Sequence, residues 1–531
     1  MISLRLSVIW LFVASQSFLS PVAMSETPQN ITVFVSSSVE SVDPHHAVSF
    51  AEHAVVNTLH IGLTEYGEDG QLRPGLAKNW VVSEDGLTYT FTLEKDLTWF
   101  DGQRFIAMDV VAGIRRALDP DRVSPFAAKL FSIIAAEAYA LGQITENDVL
   151  GVAALDDETV VFSLSRRDHT FLHVLAHPVA KPAPVNTPEL VATGQVTSGP
   201  YRVVDDGDIT RLISRDKTRT LIFEVVESAQ EAWSRSEDGG PFVTAEVPII
   251  STPSGGARAS YIKPSGGEQL YAYAVNMARA PLESLEIRHA LAMSIDRAAI
   301  LESLGVSGVA TATQYVPKTA MTYNASYKVP FASLTFEERE AVAAALLSEH
   351  GYGLSNRLAL RLRIPLGDVH ADVARRIAEM WAIAGIDTEI IAAPFSEHWQ
   401  ALEQGDFDAA FAAWPGARDT PRAFLEPLSQ FGGPWNFPQY QFPGFSERLI
   451  RAAEVRDEDP RAGQYREAEK ALIEDQSLLA LFFYKPATFV SSRLQGWQTN
   501  PAGIHPLHTL RVVEERKVLG LSPAALPNTA P

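Results

Sequence analysis

The sequence predicts a mixed α/β protein, α+β in its first third and α/β from about residue 270 onward. Three observations predict it. Tyr89, Phe91 and Leu93 alternate with Thr90, Thr92 and Glu94, the period of a half-buried strand. Residues 358–392 read strand, helix, strand within about 35 residues, the size of a βαβ unit. In that stretch Leu358, Leu360, Leu362 and Ile364 alternate with Arg361 and Arg363. A helical stripe of Val373, Ile377, Met380 and Ala384 follows and ends at Gly385. Finally, the chain has 531 residues, which at roughly 150 per domain gives about three or four domains or subdomains.

Taken in order, the chain opens with Arg5 as the only charge before Glu26, an apolar run from Leu6 to Leu19, and small residues at Ala23 and Ser25. Positive start, apolar middle and small-residue exit are the parts of a secretory signal peptide, expected over residues 1–25. The run is about 14 residues, short of the roughly 20 that a spanning helix needs. A strand is expected at 31–35, running into Ser36, Ser37 and Ser38. Ser83-Glu84-Asp85-Gly86 has turn chemistry and makes the strand at 89–93 one arm of a hairpin. Residues 107–118 read as a helix that stops at Asp119-Pro120, and Val160, Phe162 and Leu164 alternate as a strand. Pro182, Pro184, Pro188 and Pro200, with Gly194 and Gly199, mark a crossing between subdomains. Residues 234–267 carry three Gly-Gly pairs and read as loops around a strand at 242–250. Toward the C-terminus a strand is expected at 408–413. Helices follow at 446–456 and 463–475, parted at Asp459-Pro460, and then a strand at 477–484. The tail at 521–531 reads as disordered.

Composition excludes several function classes. With 46% apolar and 20% charged residues the chain can bury a sizeable core. A balance of 44 basic against 64 acidic residues, net −20, argues against affinity for nucleic acid or an anionic membrane. With no cysteine there are no disulfides, thiolate metal sites or cysteine nucleophiles. Nor is there a cysteine after the signal to carry a lipid, so the mature protein is expected free in the periplasm.

Motifs for chemistry are few. Signatures of P-loops, dinucleotide folds, zincins, serine hydrolases and EF-hands do not occur. His45, His46, His53 and His60 fall close together, and on a helix His53 and His60 would share a face suited to a metal. Structural roles are the competing and preferred expectation, so neither metal nor cofactor is expected. Asp156-Asp157 and Asp457-Glu458-Asp459 lie in polar runs and read as solvated turns. One segment points to a ligand. From 407 to 421 an apolar strand runs into Trp414 and then a Pro/Gly/Arg/Asp loop, where α/β folds place ligands; a core tryptophan beside a surface turn is the alternative.

Many landmarks in order resemble one family. They begin with Val42-Asp43-Pro44-His45, Ile61-Gly62-Leu63, the stretch from Leu72 to Trp80, and that from Thr88 to Leu93. Trp99-Phe100-Asp101-Gly102, Asp109-Val110-Val111 and the stretch from Arg116 to Pro120 follow. Thr197-Ser198-Gly199-Pro200-Tyr201 is similar to a T-G-P-Y turn. The run from Ile287 to Arg297, Tyr465 to Glu469 and Leu481-Phe482-Phe483-Tyr484 complete the set. From about residue 31 to 512 the chain resembles the periplasmic oligopeptide- and dipeptide-binding proteins, the substrate-binding subunits of ABC importers.

The resemblance implies a two-lobed periplasmic-binding-protein fold with an additional third domain and a ligand cleft between the lobes. Lobe I would be 26–61, 186–274 and 491–520; the additional domain 62–185; lobe II 275–490. It implies a monomer that binds a peptide or peptide-like solute and passes it to the permease subunits, without catalysis. Val48, Ser49 and Phe50, and Ala412 to Trp414 including Ala413, would pair with the ligand backbone, which gives affinity without reading side chains. Phe126, Phe395 and Asn436 would line the cleft. In peptide-binding members an aspartate three residues after the tryptophan grips the ligand's ammonium; here that position is Ala417. Asp419 lies about 6–7 Å further on if extended and is the candidate substitute. Arg418 between them favours an anion. A non-peptide ligand (oligosaccharide, opine-like conjugate or metal chelate) therefore stays open within the same fold. A periplasmic hydrolase is the distant alternative.

Overall fold

The computed structural model describes residues 29–67, 71–144, 149–204, 210–236, 240–245, 262–264, 266, 268–305, 309–318, 320, 323, 327–415, 420–429, 435–442, 444–485, 487–497 and 505–513. The expected signal peptide, the tail at 521–531 and most of the strand expected at 242–250 lie outside them. Of that strand residues 242–245 are described, and Phe242–Thr244 form a strand.

Three sheets organise these residues. In the first, Gln29–Val35 lies between two parallel neighbours, Arg219–Val225 and Phe242–Thr244; Arg211–Ser214 and Tyr201–Val204 extend the sheet antiparallel. Helix Phe50–Leu59 covers it. Ser49 caps this helix, accepting from the Glu52 N–H while Glu52 reaches back to the cap. Its Ala51, Val55 and Leu59 pack on Ile31, Val33 and Tyr201.

The second sheet is antiparallel, in the order Ala77–Val82, Thr88–Leu93, Thr159–Ser163, Val152–Ala154. The expected hairpin turns at Ser83, whose N–H donates to the Thr88 carbonyl. Alternation works as read: Tyr89, Phe91 and Leu93 face inward with Val160 and Phe162, against Val110, Val111 and Ile114 of helix Ala107–Ala117.

The third sheet has six strands in the order Ala310–Thr311, Leu478–Tyr484, Gln269–Val275, Ala409–Pro415, Leu358–Pro365, Ile386–Ala393. Leu358–Pro365 and Ile386–Ala393 run parallel, joined through helix Asp368–Ile383, which is the expected βαβ unit. Two expectations need correction. Strand Gln269–Val275, of which all but Val275 was assigned above to lobe I, pairs on both sides within this lobe II sheet. Ala487–Phe489, assigned to lobe II, pairs with Ile262–Pro264 and packs with Phe34 and Phe242. The helices also part earlier than Pro460: Phe445–Glu454 ends before Val455, and Pro460 sits in the first turn of Glu458–Asp475. Proline is tolerated there because a first-turn N–H has no intrahelical partner anyway.

Candidate ligand-binding cleft

The lobe II side of the cleft is built on strand Ala409–Pro415. One edge pairs with Gln269–Val275 along the whole length. On the other edge Leu358–Pro365 pairs only at Ala409 and Ala410. The Phe411 carbonyl accepts from His398 Nε2 at 2.9 Å. Among the described residues, 412–415 therefore have one edge without a strand partner. That edge offers main-chain groups to an extended ligand. Helix Phe395–Gln404 flanks it, with Phe395 stacked on Trp399 at 6.0 Å.

On the lobe I side, Phe50, where the chain enters helix Phe50–Leu59, lies 5.8 Å from Trp399. Most polar groups here are already engaged. The N–H groups of Val48 and Ser49 donate to the Glu52 carboxylate at 2.7 and 3.0 Å, and that of Ser41 at 2.9 Å. The Val48 carbonyl accepts from the Trp435 indole of lobe II at 3.3 Å. Trp435 sits in an aromatic socket, 5.5 Å from Phe50, 5.9 Å from His53 and 5.5 Å from Phe126. His177 closes the socket against His53 and Phe126. Burial holds the His53 imidazole down near 4, so it is neutral, and its Nε2 donates to the Ala47 carbonyl.

Behind the socket the small domain meets lobe II through charges. Lys129, on the turn that carries Phe126, pairs with Glu426, which also binds Arg422. The Arg422 guanidinium lies 3.8 Å from Asp168. Lys129 and Glu426 are each 14% exposed. Burial alone would raise the Glu426 carboxyl, but Lys129 and Arg422 hold it well below the carboxylate range. Next to Asp168, His169 donates from Nδ1 to the Ala453 carbonyl at 2.7 Å.

The structure brings Val48, Ser49, Phe50, Phe126 and Phe395 into this region. It describes Ala413 and Trp414 as part of the strand, paired opposite Tyr271 and Leu270. Ala417, Arg418 and Asp419 lie outside the described residues. Asn436 is used locally: its amide oxygen accepts from the Tyr440 N–H and its nitrogen donates to the Tyr440 carbonyl, closing the turn after Trp435. Sequence reasoning missed Trp435, Trp399, Lys129, Arg422 and Glu426. A tryptophan in a Gly-Pro-Trp-Asn loop was a usable signal for the first; the charges carried none. Of the four clustered histidines, His45 and His46 serve Asp43 and Arg116, and His60 is buried with neither ring nitrogen hydrogen-bonded. No group of three metal-ligating side chains occurs among the described residues.

Comparison with known proteins agrees with this geometry. Residues 71–435 match the model of the bacterial extracellular solute-binding proteins, family 5 Middle. The chain is 28% identical to the periplasmic murein peptide-binding protein MppA of Escherichia coli, covering 92% of this chain and 94% of MppA. It is 26% identical to the periplasmic oligopeptide-binding protein OppA of the same organism, covering 87% and 88%. The solved MppA structure superposes with a TM-score of 0.81 over 92% of this chain and 99% of that one, at 26% identity. Against the unliganded open form of MppA, at 25% identity and covering 92% and 98%, the TM-score is 0.59. The lobes here thus stand apart from that open arrangement.

Proposed function

Because the chain belongs to the bacterial extracellular solute-binding proteins of family 5, we propose that it is the periplasmic capture subunit of an ABC importer for peptides or peptide-like solutes. The observation that carries this reading is the edge of strand Ala409–Pro415 that has no strand partner from residue 412 onward among the described residues. An extended peptide adds to such an edge as one more strand, so main-chain hydrogen bonds supply affinity whatever the side chains. MppA and OppA are named for binding murein peptide and oligopeptides, and both are periplasmic. The ligand is held reversibly and released unchanged; nothing in the cleft is asked to react. Lobe closure around it makes the shape that permease subunits read. Residues 1–25 act as the export signal, and with no cysteine the mature chain carries no lipid and works as a free monomer.

The test is mass spectrometry of small molecules released by denaturing protein purified from its native periplasm. Peptides of several sequences are expected; a single non-peptide compound would overturn the reading. N-terminal sequencing of the same preparation should begin near residue 26.

A further inference from the structure

We propose that the small domain latches lobe II in the closed position through contacts that need no ligand. Such a latch acts whatever the cargo is, and so goes beyond the transport reading above. Two points of the small domain grip three elements of lobe II. At the first, Lys129, on the turn Ala127–Leu130, pairs with Glu426, which opens the turn Glu426–Leu428. At the second, Asp168 lies 3.8 Å from the guanidinium of Arg422 on helix Pro421–Leu425. Beside it, His169 donates twice to the Ala453 carbonyl on helix Phe445–Glu454, from its backbone N–H at 3.2 Å and from Nδ1 at 2.7 Å. Arg422 also binds Glu426. One run of charge, Lys129–Glu426–Arg422–Asp168, therefore leaves the small domain, crosses lobe II and returns.

Both sides of the junction are backed by packed cores. Leu130 and Phe171 root the small-domain points, and Leu425, Leu449 and Ala452 root the lobe II points. These contacts exist only while the two bodies are together, and each joins protein to protein. They lower the closed state against the open one without help from cargo. The four charged side chains are 8–14% exposed here, and two cations balance two carboxylates. Opening lets water reach both sides of the junction. A substitution that unbalances these charges is thus felt in the closed position and relieved in the open one.

The test places spin labels on Leu141→Cys in the small domain and Leu354→Cys in lobe II, both exposed positions in a chain with no cysteine of its own. Pulsed electron-spin resonance reads the distance between them. Protein purified with its cargo sets the closed distance, and the same chain refolded from denaturant is the cargo-free sample. In that sample the closed distance is expected to outweigh longer ones by about tenfold. Lys129→Glu, which sets three carboxylates against one guanidinium, is expected to shift the ratio at least about tenfold toward the longer distance. Lys129→Met carries a smaller shift of the same sign should K129E not fold. A mostly long distance in the cargo-free wild-type background, or an unchanged ratio in the folded Lys129 variant, overturns the latch. Neither result touches the transport reading, which the released-ligand experiment decides.

Discussion

Arg116 clamps Asp43 with both terminal nitrogens, Nη1 and Nη2 each 2.7 Å from a carboxylate oxygen. The pair joins the small domain to lobe I, and Asp43 is almost fully buried. The same Nη1 donates to His45 Nδ1, and the Nε2–H of His45 donates to the Lys181 carbonyl at 2.9 Å. Two domains are thus pinned at one point by charge and by a neutral imidazole.

Replacing Asp43 by Asn leaves the guanidinium buried without its counter-charge. Breaking a buried pair from one side costs about 3–5 kcal/mol, so Asp43→Asn should lower the urea midpoint strongly. A change under about 1 kcal/mol would show the guanidinium finding water instead.

The fold should also be acid-sensitive. Burial depresses His45 and His398 to about 4 and His60 and His370 to about 3. Unfolded histidines take up protons near pH 6.5. Between pH 6.5 and 4 the unfolded chain therefore binds more protons than the folded one, and stability falls as pH falls. Each histidine contributes a slope of up to about 1.4 kcal/mol per pH unit there. Denaturant midpoints at pH 7, 5.5 and 4.5 should drop steadily; a flat profile across this window refutes the neutral assignment.

Gly113 lies in mid-helix, where alanine would ordinarily improve propensity. A Cβ there would lie 2.3 Å from the Lys181 carbonyl oxygen and 2.8 Å from Pro182 Cα, both backbone atoms. Gly113→Ala should cost about 1–3 kcal/mol through overpacking. Gly353→Ala, where nothing lies within 4 Å, is the control and should be near neutral. Equal thermal melts for the two variants would show that the strap at 181–183 yields.

Glu426 answers to two cations at once, from two domains. Glu426→Gln should loosen the junction between the small domain and lobe II. In ligand-free protein, X-ray scattering should then report a larger radius of gyration than wild type, with a further rise for the double variant carrying Lys129→Met. Identical profiles would mean the contact forms without holding the lobes.

Sequence patterning revealed elements wherever one face meets water. The hairpin at 77–93 and the unit at 358–393 alternate or repeat as expected because half of each faces solvent. Gln269–Val275 resisted domain assignment for the opposite reason. Six of its seven residues are buried, so nothing in the pattern says which sheet claims it. The strand at 409–415 was legible from its composition and its loop. The charged junction was not: Lys129 and Glu426 lie 297 residues apart, each in an unremarkable local setting, and only the fold makes them partners. Trp435 stood between the two: its Gly-Pro-Trp-Asn loop was a usable signal, but the residues it touches come from distant parts of the chain.

The one-sided strand at 409–415 has a consequence for the protein's life in a crowded compartment. A bare row of amide and carbonyl groups is a template on which other chains polymerise. Near it stand the stacked rings of Phe395 and Trp399, and Phe50 of lobe I lies 5.8 Å from Trp399. The same unpaired groups that strand addition would use for cargo are those a second chain would use, so capture and self-association draw on one edge.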